Sequence, residues 1–268
     1  MTPFSVVMSV YHADNPDFFL QAVDSVLSQT IPPRELIVSV DGPVTPGIEA
    51  ALSEIEKLPV TRLLRLPENQ GPGGARHTAI LSARHEIVAI MDADDISLPD
   101  RFEQQLGHLE SSGADVVGGF IEEFEKVPGD LRRIRRVPLT HGDISRFGKW
   151  RQPMNHVTIM FRREAYMRAG GYQALRSIED YDLYYRLCMT GAKFANIRNV
   201  LVFVRGGTSI LNRRRGLLYL RRELALIRRM RQSGFLTAWQ WVANSSVRIA
   251  IRSLPSPLVS LIYWLLRK

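Results

Sequence analysis

The sequence predicts an α/β fold, a mostly parallel sheet flanked by helices, with a basic helical extension at its C-terminal end. Three observations predict it. Short apolar runs alternate with stretches of helical periodicity through the first 120 residues, the pattern of strands joined by crossover helices. Turn-forming and acidic residues fall at the ends of those runs rather than inside them. The charge is also split along the chain. Arg198–Lys268 holds 14 of the 35 Lys and Arg and only one of the 27 acids, Glu223, a local +13 that leaves −5 on Met1–Ile197. With 268 residues and 45% hydrophobic content the chain can bury a large core, which excludes a disordered, collagen-like or disulfide-stapled protein.

Phe4–Val10 reads as the first strand. Asn15 then caps a helix with Pro16 in its first turn, and Phe19, Ala22, Val23, Val26 and Leu27 recur at helical spacing. Leu36–Val40 is the second strand, stopped by Asp41, Gly42 and Pro43, and is followed by a helix over Ile48–Leu58 and a strand over Val60–Leu66. A helix over Gly73–Arg84 is entered through a glycine-rich turn. The fourth strand, Glu86–Met91, ends in Asp92, Ala93, Asp94 and Asp95, at the sheet edge where open α/β folds bind ligands. A helix over Pro99–Ser111, with Ser97 and Asp100 placed to cap it, leads to a strand over Ala114–Phe120. Residues 122–151 are polar and Arg-rich and suggest no regular element. His156–Phe161 reads as a strand, Tyr181–Met189 as a helix and Phe194–Val204 as a strand.

Three carboxylates within four positions repel one another in a site shielded from water unless a cation neutralises them. A hard divalent ion, Mn²⁺ or Mg²⁺, shared with substrate phosphates is one reading of Asp92, Asp94 and Asp95; a solvated acidic turn is the other. The glycines of Asn69–Arg76 let backbone amides approach an anion at a helix start, and equally serve a tight loop. Glu179, Asp180 and Asp182 open a later helix, where acids suit the helix dipole; in a cleft, one of them has the raised basicity of a general base. Asn155 and His156 are candidates for contact with a ligand or the metal, and Asp95 and Glu179 for contact with the ligand, which the resemblance set out next makes an acceptor or donor sugar. Arg205, ahead of Gly206 and Gly207, is a candidate phosphate clamp, while Arg213, Arg214 and Arg215 read equally as a solvated basic run.

Taken in order, Ser9–Tyr11, Ser25–Thr30, Asp41 and Gly42, Asn69, Gly71, Ala75 and Arg76, Asp92–Asp95 and Glu179–Leu183 resemble the inverting glycosyltransferases of family 2, with their Rossmann-like GT-A fold. The resemblance covers about residues 4–205 and is nearest to bacterial exopolysaccharide and O-antigen enzymes of the amylovoran type. It implies that Ser9, Tyr11 and Asp41 surround the nucleobase and ribose, with Arg76 near the nucleotide. Asp92 would lie at the ribose or the metal, Asp94 would bind the metal bridging the diphosphate, and Asp180 would be the catalytic base. The family often has two acids before the glycine of its second-strand motif; here Val40 stands in place of the first. The implied substrates are a nucleotide sugar, with UDP the nucleotide, and a saccharide acceptor carried on a polyprenyl diphosphate.

The expected organisation is a catalytic domain over 1–207, with a nucleotide-sugar half of about 1–120 and an acceptor half of about 121–207, then a basic amphipathic segment over 208–268. Leu217, Leu218, Leu220, Leu224, Ile227 and Met230 interleave with arginine pairs there, and Leu258–Leu266 is too short to span a bilayer. The segment is read as lying on an anionic membrane surface, or else as packing on the domain. It carries no nucleic-acid motif, and the acidic half opposes nucleic acid as a partner. Cys188 is the only cysteine, which fits a reducing compartment, and the start lacks signal-peptide features, so the expected location is the cytoplasmic face of the inner membrane. Two other functions stay open at this point: a sugar-phosphate nucleotidyltransferase, which would carry a glycine-rich basic signature where Tyr11, His12 and Ala13 stand, and a catalytically silent membrane adaptor.

Overall fold

The strands β1 (Phe4–Val10), β2 (Glu35–Val40), β3 (Thr61–Arg65) and β4 (Ile87–Asp92) are parallel and lie in the order β3-β2-β1-β4. The chain steps outward through α1 (Pro16–Leu27) and α2 (Pro46–Ile55), then returns through α3 (Gly71–Ser82) to lay β4 on the far side of β1. This reversal between β1 and β4 leaves a crevice beyond their carboxyl ends, and the register puts Ser9 beside Asp92 at its lip. The computed structural model describes residues 2–173, 175, 177–206 and 217–253. Arg213, Arg214, Arg215 and the run Leu258–Leu266 lie outside the described residues.

Beyond β4 the sheet becomes mixed. β8 (Met160–Arg162) runs antiparallel between β4 and β6 (Val116–Phe124), and β9 (Phe194–Arg205) is parallel to β6. The two-residue β5 (Ile96–Ser97) pairs with β9, and β7 (Arg133–Arg135) folds onto β6. The polar stretch 122–151 therefore supplies β7 and α5 (His141–Phe147). The expected strand His156–Phe161 is corrected: His156–Thr158 is a single 3-10 turn, and only Met160–Arg162 is extended. Thr158 closes the turn by donating to Asn155 O through both its backbone N–H (2.9 Å) and its hydroxyl (2.7 Å), a local bond that apolar patterning does not report.

Side-chain alternation along the central strands fills both faces. Val6, Met8 and Val10 join Leu36, Val38 and Val40 on the face covered by α1, α2 and α4 (Arg101–Ser112). Val7, Ile37, Val88 and Ile90 point to the opposite face, covered by α3, α6 (Arg163–Arg168) and α7 (Glu179–Met189). Asn15 caps α1, accepting from the N–H groups of Asp17 (2.9 Å) and Phe18 (3.1 Å). Asp100 makes no such bond at α4. Gln29 acts there instead, accepting from Phe102 N (3.3 Å) and donating to Leu98 O (2.7 Å).

After residue 216 come α8 (Leu217–Gln232) and α9 (Ala238–Ser253). α8 buries Leu226, Ile227 and Met230 in the same apolar cluster as Tyr185 and Leu187, and Arg229 pairs with Asp182 of α7 at 3.4 Å. This part of the segment assigned to 208–268 thus shares a core with the sheet. Among the described residues no helix is long and apolar enough to cross a membrane.

Candidate active site

A cleft of about 900 Å³ opens at the carboxyl ends of β1 and β4. Ser9, Tyr11, Asp41, Arg76, Asp92, Asp94 and Asp95 line one side of it. Asn155, His156, Glu179 and Asp180 face them. The fold thus gathers the sequence-selected residues into one site, with the exception of Arg205.

Beside the start of α3 the backbone is held by Asp41. Asp41 accepts from Gln70 N (2.7 Å), and Asn69 donates its side-chain amide to Asp41 O (3.2 Å). Gly42 adopts φ +81°, and a Cβ there would come within 2.8 Å of Asn69 N, so only glycine lets this turn meet the start of α3. Arg76 is buried and pairs with Asp92. Burial opposes its charge, but Asp92 and more distant carboxylates outweigh that and raise its pKa.

Asp14 was not among the sequence candidates. It accepts from Tyr11 N (2.9 Å) and lines the cleft beside Asp92 and Asp94; burial first, then those two charges, push its pKa up to about 6. Its signal was an acid four residues past the strand end, indistinguishable in sequence from the lead-in to the Asn15 cap. Among the described residues no three His, Cys, Asp or Glu side chains converge as a preformed metal cage. Carboxylates at Asp92 and Asp94, an all-oxygen donor set, fit the way hard cations share one or two protein ligands with substrate phosphates.

On the opposite wall the three acids of α7 divide. Asp182 is buried and held by Arg186 at 2.7 Å, a structural bond, while Glu179 and Asp180 face the cleft. Asp180 accepts from Tyr181 N at 2.7 Å. Glu179 packs against Gly73 of α3, and its Oε2 is buried without a hydrogen-bond partner. Burial and the neighbouring Asp180 raise its pKa to about 7. Ser177 (φ +74°) and Ile178 (φ +60°) lead into α7 in the left-handed region, a strained entry for a β-branched residue that turns the first helical residues into the cleft.

Asn155 donates to Gly119 O (2.8 Å) and Arg135 O (3.2 Å), and its Oδ1 is a second buried unpaired acceptor on this wall. His156 Nε2 and the Tyr172 hydroxyl share a 2.6 Å hydrogen bond. Burial, and then Arg76, lower the His156 pKa to about 4, so the ring is a neutral wall element at physiological pH.

Arg205 stands apart from the phosphate clamp expected of it. Its guanidinium is sandwiched between the rings of Phe18 (3.6 Å) and Phe124 (4.6 Å), donates to Asp94 O (3.0 Å) and Gln21 Oε1 (3.0 Å), and does not line the cleft. Asp95, buried, accepts from Arg205 N at 2.8 Å. Both brace the acidic turn, Arg205 from behind and Asp95 from its place in the cleft lining. Arg101, also missed in the sequence, braces it from below. Fully buried, it donates to Ile90 O (2.8 Å), Val157 O (3.0 Å) and Gln105 Oε1 (3.0 Å), tying β4 to the turn that carries His156.

Comparison with known proteins agrees with this geometry. Residues 5–173 match the family described as Glycosyl transferase family 2. The chain is 35% identical over 262 residues to an uncharacterized glycosyltransferase of Haemophilus influenzae, covering 97% of each. It is 33% identical to the amylovoran biosynthesis glycosyltransferase AmsE of Erwinia amylovora, again over 97% of each chain. It is 31% identical to the UDP-Gal:alpha-D-GlcNAc-diphosphoundecaprenol beta-1,3-galactosyltransferase of Escherichia coli, over 97% of this chain and 94% of that one. Among solved structures, S. aureus TarS 1-349 in complex with UDP-GlcNAc superposes with TM-score 0.69 at 16% identity, over 92% of this chain and 72% of that one, a likeness of GT-A fold. This chain spans 40% of the longer TarS structure. Sheet order, cleft and family match together place the chain in glycosyl transferase family 2, and it is a glycosyltransferase.

Proposed function

We propose that this glycosyltransferase moves a sugar from a UDP-sugar to a hydroxyl of a saccharide carried on a polyprenyl diphosphate, with inversion at the anomeric carbon, in bacterial surface polysaccharide assembly. The observation that carries the proposal is Asp180 at the start of α7, across one continuous cleft from Asp92 and Asp94 at the end of β4. A base on one wall and a diphosphate site on the other suit a single displacement.

In that reaction the Asp180 carboxylate takes the acceptor hydroxyl proton as the oxygen bonds to the anomeric carbon. The bond from that carbon to the β-phosphate oxygen breaks, and its electron pair leaves with UDP. Asp94, with Asp92, would hold a divalent cation, Mn²⁺ or Mg²⁺, whose charge offsets that developing on the departing diphosphate. Ser9, Tyr11 and Asp41, which line the cleft, would border the ribose and base, and Arg76, paired with Asp92, would orient it. Support for the acceptor comes from the relatives, one named for amylovoran biosynthesis and one for a diphosphoundecaprenol-linked substrate. Such an acceptor places the enzyme peripherally on the cytoplasmic face of the inner membrane. Family membership sets aside the nucleotidyltransferase reading and, with acids on both walls, the silent adaptor.

The test is Asp180→Asn. Transfer is expected to fall by about 10²–10⁴-fold while UDP-sugar binding, read by calorimetry, changes by less than about twofold. Turnover near that of the wild type would overturn the assignment.

A further inference from the structure

The cleft continues past Asp180. Its outer end is lined by Arg135 of β7, by Arg151 of the loop after α5 and, beside that loop, by α9. Arg135 donates to Gln152 O (3.3 Å), next in the chain to Arg151, whose guanidinium lies 5.5 Å from the Phe147 ring centroid. Two guanidinium groups are thereby seated on one stretch of wall, in a cleft whose inner end is lined by acids. Glu123, Glu223 and Arg248 also line the cleft, so three guanidinium groups stand against two carboxylates here, and guanidinium forks match phosphate oxygens.

α9 is fixed to this loop and lines the cleft with Asn244, Val247, Arg248 and Ile251. Asn244 of α9 is buried and donates to Lys149 O (3.1 Å); Arg248 donates to Trp150 O (3.3 Å); Trp150 and Trp239 meet edge to face at 6.3 Å. These contacts clamp one side of α9 to the loop that carries Arg151. The other side presents Val242 and Ile249 to solvent, with Trp239 exposed at its edge, and no charged residue falls between Ala238 and Val247. Val247 lines the cleft while 53% exposed, so an apolar side chain links the cleft to the outside of the helix. An anion joined to a hydrocarbon chain fits this junction, whereas a free phosphate would leave α9 unused.

We infer that this outer end seats a diphosphate joined to an isoprenoid chain, with the phosphates on Arg135 and Arg151 and the chain leaving across Val247 and the uncharged face of α9. The inference rests on the lipid-linked acceptor proposed above and locates its lipid end.

Binding of farnesyl diphosphate to the full chain, followed by tryptophan fluorescence with UDP and Mn²⁺ present to fill the donor end, tests it. Inorganic diphosphate and farnesol are the controls. Farnesyl diphosphate is expected to bind at least about tenfold tighter than either control, the worth of one charge-assisted hydrogen-bonded contact. Arg151→Ala and Arg135→Ala should each weaken it by about tenfold and leave farnesol unchanged; Val247→Asp should weaken both lipids and spare diphosphate. UDP binding by each variant reports that it is folded. Equal binding of farnesyl diphosphate and a control, or variants that bind as the wild type does, would overturn the inference. So would phosphatidylglycerol vesicles that bind as tightly and respond to the same substitutions, since they would assign the surface to bulk anionic lipid. None of these arms needs turnover, so a wild-type enzyme that fails to hydrolyse or transfer any UDP-sugar counts against the transferase reading alone.

Discussion

Arg101 and Glu179 show two ways in which single residues hold this site. Arg101 is a charge with no carboxylate in contact, satisfied by carbonyl and amide oxygens of Ile90, Val157 and Gln105 in an environment that lowers its pKa to about 9, chiefly by burial. Arg101→Met would fill the space but orphan those acceptors, at a cost of about 2–4 kcal/mol. The thermal midpoint should drop by roughly 5–15 °C; a shift under about 2 °C would show that the carbonyls find other partners. Glu179 behaves oppositely. Its carboxyl ionises at about 7 when folded against an ordinary 4.5, so the contribution it makes to stability is complete below pH 4.5 and is lost as pH rises to about 7. Glu179→Gln should therefore gain in melting temperature relative to the wild type between pH 5 and 8, and a pH-independent difference would contradict the raised value.

At the level of elements, the two walls of the cleft are built separately and should fail separately. Gly42→Ala places a Cβ 2.8 Å from Asn69 N at φ +81°, with a conformational cost of about 1–2 kcal/mol, and is expected to raise the donor KM while sparing the acceptor. Asn244→Ala releases α9 from Lys149 O and should do the reverse, leaving donor hydrolysis unchanged. Equal effects of both substitutions on both substrates would show that the walls are coupled. This division also explains what could be read in advance. β1, the Asn15 cap and the delivery of Asp92–Asp95 by β4 were legible because each rests on contiguous residues: an apolar run, an Asn-Pro step, a strand end. The entry to α7 and the roles of Gln29, Arg101 and Arg205 were not, since they rest on partners such as Leu98, Val157 and Asp94 far along the chain, and a buried arginine looks like a surface one in sequence. The 3-10 turn at His156 was misread because a short apolar stretch has no period of its own.

For the whole molecule, the segregated charge and the buried face of α8 decide how membrane attachment is to be measured. Ending the chain near Gly207 would remove Leu226, Ile227 and Met230 from the core, so lost binding would report unfolding. Ending it after Ser253 keeps α8 and α9. The intact chain is expected to sediment with phosphatidylglycerol vesicles and to release by tenfold or more between about 50 and 300 mM salt, as the screening length falls from roughly 14 to 6 Å. Salt-independent binding would point to purely apolar attachment. The family match ends at residue 173, yet α8 and α9 complete the cleft. Residues from both ends of the chain therefore meet in one cleft. If the reading proposed above holds, exchanging the residues after 216 between relatives should change acceptor preference and leave the donor unchanged, and a change in donor would show that the two are not separable.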